Sequence, residues 1–243
     1  VSSSSQQVKP YQSESSKREQ IEEMFDGISG KYDFLNHFLS LGIDKIWRKK
    51  AVKEIAEGNP TRILDVATGT ADLAIASRNI GAEEIVGVDI SEKMLAVGRQ
   101  KIAKMGLKRI HLENGDSEDL PFDDGSFDAI SVAFGVRNFE HLEKGLTEMR
   151  RVLKKGGKLV ILEFSQPSAF PIKQFYNLYN KTVLPLAGKI FAGSKEAYTY
   201  LPASVMAFPE GQSFLNILEA VGYQKVKQNR LSFGICTLYT AFN

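Results

Sequence analysis

Cysteine is almost missing from these 243 residues: Cys236 stands alone, so no disulfide can form within the chain. Histidine is nearly as scarce, and 3 scattered histidines beside one cysteine do not make a usual zinc site, so no metal is expected. Neither charge is in excess. The 31 Lys plus Arg and 29 Asp plus Glu leave a net +2, which argues against a generic polyanion binder and predicts no nucleic-acid partner. No apolar run approaches the ~20 residues that span a bilayer, and the N-terminus is serine and glutamine instead of a basic stretch followed by an apolar one. Together these features predict a cytoplasmic protein whose contact with a membrane is at most peripheral. The 43% hydrophobic content is enough, at this length, to bury one core without disulfides or metal.

Residues 1–17 (VSSSSQQVKPYQSESSK) are too polar to offset the entropy of ordering and read as a flexible tail. A single domain is expected over 18–243. Ile21, Met24, Phe25 and Ile28 recur at helical spacing and open an N-terminal helical cap over 18–58, which ends near Gly58 and Pro60. Strand-length apolar runs then alternate with helical stretches: RILDVA from Arg62, EIVGVD from Glu84, RIHLE from Arg109, FDAISVAF from Phe127 and KLVILEF from Lys158. That alternation predicts an α/β fold with a parallel sheet covered by helices on both faces. Residues 170–212, rich in Tyr, Phe, Pro and Gly, break the rhythm and read as an insertion over one end of the sheet. Two last strands, near Tyr223 to Asn229 and Ile235 to Phe242, are close enough in sequence to form an antiparallel hairpin.

The candidate chemistry collects where strands end. After the first strand, Asp65 leads into Thr68, Gly69 and Thr70, and a glycine at a strand-to-helix turn lets backbone approach a ligand. The loop lacks the three-glycine dinucleotide pattern. Asp89 ends the second strand, placed to accept both hydroxyls of a ribose, and Ser91 is a candidate helix N-cap. Asp116 and Ser117 follow the third strand, where a side chain can bond an adenine amino group.

These elements, with GDSEDLPF from Gly115, DGSFD from Asp124 and RVLKKGGKL from Arg151, resemble a class I S-adenosylmethionine-dependent methyltransferase. KYDFLN from Lys31, LGID from Leu41, Trp47-Arg48, FGVRN from Phe134, LEFS from Leu162, YTYL from Tyr198 and Phe208-Pro209 narrow the resemblance to the ubiquinone/menaquinone biosynthesis C-methyltransferases, with FGVRN the most specific element. The resemblance covers nearly everything after the tail. It implies a seven-stranded, mostly parallel sheet with an antiparallel C-terminal strand, and S-adenosyl-L-methionine as cofactor. It further implies C-methylation of a prenylated demethylmenaquinol to menaquinol, some relatives also acting on a prenyl benzoquinol. Carried over residue by residue, it places Thr70, Asp89, Asp116 and Ser117 at the cofactor. The family's usual glycines are Ala67 and Ala71 here, and a serine of some relatives is Ala133.

A quinol ring carbon becomes nucleophilic when the neighbouring hydroxyl ionises, and a guanidinium favours that ionised form. Arg137 is the candidate for this role, with Asn138 orienting the ring oxygen and a water or carboxylate taking the proton, since arginine itself stays protonated. Tyr32 is expected to close over the cofactor, and Tyr198 and Tyr200 to line the quinol pocket. Still open from the residues are another small-molecule acceptor (sterol, phospholipid or phenolic oxygen), a non-catalytic accessory role in quinone synthesis, and a homodimer or larger quinone-synthesis complex.

Overall fold

Seven short runs dominated by β-branched and aliphatic residues pair into one sheet in the computed structural model, which describes residues 8–191 and 195–243. The side chains of Phe34, Leu35, Phe38, Leu39, Asn180, Tyr198 and residues 183–191, 195 and 196 lie outside the description. The strands are β1 (Arg62–Val66), β2 (Glu84–Asp89), β3 (Ile110–Asn114), β4 (Phe127–Ala133), β5 (Leu153–Phe164), β6 (Gln224–Leu231) and β7 (Cys236–Phe242), in the spatial order β3-β2-β1-β4-β5-β7-β6. Only β7 runs against its neighbours; the pairings from β3 through β5 are all parallel. The expected sheet and its antiparallel C-terminal strand are therefore present.

Alternation along each strand explains why both faces need cover. Ile63, Ile85, Ala129 and Val160 pack to one side with Trp47, Ala51 and Ile55 of α3 (Ile43–Ala56) and with Ile102 of α5 (Glu92–Lys104). Their chain neighbours Leu64, Val86, Ile130 and Ile161 pack to the other, against Leu146 and Met149 of α6 (Leu142–Val152) and Phe214 and Leu218 of α9 (Gln212–Val221). Strands buried on both faces are the mark of a parallel sheet sandwiched by helices.

The region before β1 forms α1 (Lys17–Ile28), α2 (Tyr32–Leu39) and α3. Ser16 starts α1 with a capping box: its Oγ accepts from the Glu19 amide, and the Glu19 carboxylate accepts from the Ser16 amide at 2.9 Å. The segment read as a tail is in part built in. Val8 and Tyr11 pack beside Ile21 and Met24, and the Tyr11 amide donates to the Gln20 side chain at 2.9 Å. Residues 170–212, irregular by composition, contain two helices, α7 (Ile172–Phe191) and α8 (Lys195–Ala207), the latter with Pro202 inside it. A short α4 (Asp72–Ala76) follows β1.

Candidate active site

The strand order reverses between β1 and β4, and the loops after β1, β2, β3 and β4 gather at that carboxyl edge, where open α/β sheets hold their ligands. The loop after β1 is wound tightly: Ala67, Gly69 and Ala71 all adopt left-handed backbone, with φ of 51°, 56° and 66°. For alanine that conformation is unfavourable by about 1 to 2 kcal/mol, so the fold must hold it in place. Asp65 does so from below, accepting from Thr68 Oγ1 and from Ser131 Oγ at 2.6 Å each. From the side, the Gly69 amide donates to Asp89 at 2.8 Å.

Asp89 is the polar centre of this edge. One carboxylate oxygen accepts from Gly69 and the other from the Ser91 amide at 2.9 Å, so each retains lone-pair capacity for a further donor. Burial raises its pKa to about 6, against the lowering effect of those backbone donors. Ser91 caps α5 as expected, accepting from the Met94 amide at 3.2 Å, and also donates to Asp26 of α1 at 2.6 Å. Gly69, Asp89, Asp116 and Ser117 border one cavity of about 690 Å³, with Ile90 and Phe139 among its apolar walls.

Helix α1 lies across that cavity and is tied at both ends. Lys17 Nζ donates to the carbonyls of Arg137 (3.0 Å) and Phe139 (2.8 Å), the Glu140 carboxylate accepts from the Lys17 amide at 3.1 Å, and Asp26 makes the bond to Ser91. Burial, helped by the nearby Arg137 charge, lowers the Lys17 pKa to about 8. Arg18, on the same helix, reaches Asp116 at 3.3 Å.

A second, larger and mainly apolar cleft of about 1910 Å³ opens beside the first, between α1, α2, α3, α7 and α8. Its polar floor holds two buried arginines. Arg137 pairs with the fully buried Glu163 at 2.8 Å, and Arg48 pairs with Asp44 and, at 3.3 Å, with Asp72. Burial raises the Glu163 pKa, opposed chiefly by Arg137. Phe25, Tyr32 and Phe134 border both spaces and form the wall between them. The arrangement is two adjoining spaces, one with Asp89, Asp116 and Ser117 among largely apolar walls and the other a larger apolar cleft, with Phe25, Tyr32 and Phe134 common to both.

Comparison with known proteins fits this architecture: residues 13–243 match the ubiE/COQ5 methyltransferase family. The chain belongs to that family. It is 51% identical over 238 residues, 97% of both chains, to the demethylmenaquinone methyltransferase of Bacteroides fragilis, and 45% identical over 239 residues to that of Porphyromonas gingivalis, covering 97% of this chain and 98% of the other. It is 47% identical over 227 residues to the ubiquinone/menaquinone biosynthesis C-methyltransferase UbiE of Geotalea daltonii, covering 92% and 96%. Among solved structures, a SAM-dependent methyltransferase from Thermotoga maritima superposes with a TM-score of 0.63 at 18% identity over 90% of this chain and 98% of its own. One from Aquifex aeolicus gives 0.58 at 20% identity over 80% and 88%. These two likenesses carry the fold.

Membership in the family does not itself place individual residues, and the geometry sorts the expected ones. Gly69, Asp89, Asp116, Ser117 and Tyr32 border the first cavity. Asp65 and Thr70, expected at the cofactor, are not among its walls. Asp65 is a buttress under the loop, its own pKa raised to about 6 by burial, and Thr70 donates its hydroxyl to Asp33, fastening the loop to α2. Arg137 and Tyr200 border the second cleft, whereas Asn138, expected at the ring oxygen, borders the first cavity; its Oδ1 accepts from Tyr200 at 3.2 Å. Tyr198 lies outside the described side chains. Glu163 and the floor role of Arg48 were missed: both stand inside quoted motifs, and an acid in the apolar run KLVILEF is the signal that a buried partner exists.

Asp89 predicts a pH dependence. Its carboxylate must be ionised to accept two hydroxyls, and its raised pKa means that protons compete below about pH 6. Affinity for S-adenosylhomocysteine is expected to be level above pH 7 and to fall by up to about tenfold per pH unit below 6. Isothermal titration calorimetry between pH 5 and 8 measures it.

Proposed function

We propose that this chain methylates the ring carbon of a prenylated demethylmenaquinol, with S-adenosyl-L-methionine as donor, to give the menaquinol. The observation that carries the reading is the pair of spaces sharing the Phe25, Tyr32 and Phe134 partition, one built around Asp89 and the other apolar with Arg137 at its floor. The residues present fit the donor: Asp89 retains acceptor capacity for a ribose, Asp116 and Ser117 stand at the next loop, and left-handed Gly69 brings backbone to the cavity without a Cβ. The bound donor supplies an electrophilic methyl group on a sulfonium sulfur, so the chain needs neither metal nor nucleophilic cysteine.

What remains for the protein is to orient, desolvate and stabilise charge. Arg137, held by Glu163, presents a fixed donor and positive charge to the oxygen beside the reacting carbon and favours its phenolate. Phe25, Tyr32 and Phe134, at the junction where the two spaces meet, exclude water from the transfer. On forming the new C–C bond, the ring carbon loses its hydrogen as a proton, and one proton leaves for each methyl transferred. Arg137 stays protonated, so that proton goes to water or a carboxylate. The relatives from Bacteroides fragilis and Porphyromonas gingivalis, both named demethylmenaquinone methyltransferases, support the naphthoquinol over the benzoquinol. Transfer of label from S-adenosylmethionine to short-chain demethylmenaquinol under reducing conditions tests the reading; no labelled product from either this or a prenyl benzoquinol would overturn it.

The prenylated substrate resides in a bilayer, and peripheral contact of the cleft mouth with that surface is part of the same proposal. Among the described residues no helix is long and apolar enough to cross a membrane. The rim of the cleft carries Leu41, Phe175 and Phe233, exposed by 82%, 66% and 78%. Leu41 and Phe233 also have left-handed backbone, with φ of 50° and 59°, which is unusual for bulky side chains and is a cost that functional sites tolerate. Next to Leu41, the outer side of α3 exposes Ile46 with Lys45, Lys49 and Lys50, suiting an anionic lipid surface. The double variant Leu41→Ser with Phe233→Ser is expected to bind phosphatidylglycerol-containing vesicles at least about tenfold more weakly. Its turnover of a short-chain quinol in solution should be unchanged. Cosedimentation and the labelled-methyl assay measure the two.

A further inference from the structure

Arginine Nε–H groups that are buried and unpaired are costly, and such atoms call for a partner. Among the described residues, four buried side-chain polar atoms have no hydrogen-bond partner: Nε of Arg48, Nε of Arg137, Nε of Arg150 and Oγ of Ser77. Arg150 and Ser77 border neither cavity. Arg48 and Arg137 both border the apolar cleft, with side chains only 8% and 6% exposed.

The two arginines are built alike. In each, the Nη end is engaged: Arg137 Nη1 donates to the Phe134 carbonyl and to Glu163, while Arg48 Nη1 donates to Asp44 and its Nη2 forms an ion pair with Asp72 at 3.3 Å. Asp44 is itself fixed by Ser40 Oγ and His37 Nδ1, each at 2.7 Å, so the Arg48 fork has no freedom to turn. In each, the guanidinium sits over one ring of a stacked pair. Arg137 Cζ lies 5.4 Å from the Phe164 centroid and Arg48 Cζ 5.8 Å from that of Phe134, the two rings being 4.4 Å apart. Two arginines with unanswered Nε–H groups thus border one apolar cleft, each against one ring of the same aromatic stack.

A ligand that answers both must carry two acceptors on one flat, apolar body. Resting on the function proposed above, we infer that Arg48 binds the second oxygen of the 1,4-dioxygenated ring, the one para to the oxygen held by Arg137. Chain position orders the two. Arg137 adjoins Asn138, which borders the cofactor cavity, so its oxygen is the one beside the reacting carbon; Arg48 borders the acceptor cleft alone and takes the remote one. Arg48 is on this account a substrate-binding residue that selects para-dioxygenated rings over phenols with one hydroxyl.

The experiment compares a short-prenyl demethylmenaquinol with the matching 3-prenyl-1-naphthol, which keeps the hydroxyl beside the methylated carbon and has hydrogen at the para position. Binding to the S-adenosylhomocysteine complex is measured by calorimetry, and turnover by the labelled-methyl assay. Wild type is expected to bind the quinol about tenfold or more tightly than the naphthol, the difference a hydrogen bond from a charged donor commands. Arg48→Lys keeps a positive charge for Asp44 and Asp72 while deleting Nε–H. It should raise the Kd and KM of the quinol to those of the naphthol and leave the naphthol and S-adenosylhomocysteine affinities within twofold.

Equal wild-type affinity for the two compounds overturns the inference without any variant. So does an Arg48→Lys protein that retains the full preference, or one that weakens both compounds alike. Failure of wild type to methylate any quinol strikes the proposed function instead, and the binding comparison still decides the role of Arg48.

Discussion

Replacing Arg137 with Met is expected to lower kcat by about 10²- to 10³-fold, the loss that follows removal of a preorganised charge-stabilising donor, while leaving S-adenosylhomocysteine affinity within about twofold. The same change should destabilise the fold by about 3 to 5 kcal/mol, because Glu163 would be left as an uncompensated buried charge. Those two effects must be separated. Glu163→Gln in the same chain keeps an acceptor for the Phe164 amide, which donates to the carboxylate at 2.9 Å, and removes the orphaned charge. The double variant Arg137→Met, Glu163→Gln should therefore melt near the wild type and still turn over at the rate of the single variant. Return of activity with stability would show Arg137 to be only a partner for Glu163.

The single variant carries a pH signature as well. Burial places the folded pKa of Glu163 above its unfolded value even with Arg137 opposing, so removing Arg137 raises it further. A folded state that binds more protons than the unfolded one is favoured below the unfolded pKa, and that contribution disappears as pH rises through the folded pKa. Arg137→Met should be more stable near pH 5 than near pH 8 by denaturant titration, and the double variant should lose that slope.

The sheet was legible because its signals are local: strand-length apolar runs, alternation with helices, and a serine that caps α5 as read. The loop acids Asp89 and Asp116 were legible for the same reason, since they stand at the ends of recognisable strands. Asp65 was ambiguous because an acid near a strand end looks the same in sequence whether it faces a ligand or buttresses a turn; its bond from Ser131 of the neighbouring strand β4, 66 residues away, comes only with the fold. The Arg137–Glu163 pair was half visible. The arginine stood in a distinctive motif, and only the parallel pairing of β4 with β5 brings Glu163 beneath it. The helices within residues 170–212 were not legible because Pro, Gly and aromatics suppress helical periodicity. Arg48 was visible only as part of the Trp47-Arg48 motif; its place at the floor of the cleft, paired with Asp44 one turn earlier and with Asp72, required the structure.

Asp89→Ala should weaken binding of S-adenosylhomocysteine by about 10²- to 10⁴-fold, the combined loss of two charge-assisted hydrogen bonds at ~1.5 to 3 kcal/mol each. The size of the effect depends on the carboxylate being fixed beforehand. Gly69 and Ser91 amides hold one oxygen each, so no rotamer freedom is lost when a ribose arrives. Melting temperature should change little, since the Gly69 amide borders a cavity that admits water once the carboxylate is gone. Asp89→Asn is the sharper chemical probe. It keeps size and one acceptor, cannot titrate, and should bind more weakly than wild type at pH 7.5. Because acid weakens only the wild type, whose carboxyl pKa is raised to about 6, the gap between the two proteins should narrow by about fivefold on going from pH 6 to pH 5. Parallel acid dependence in wild type and Asp89→Asn would move the titrating group away from Asp89. An Asp89→Ala protein that binds within threefold of wild type would remove the ribose from this carboxylate.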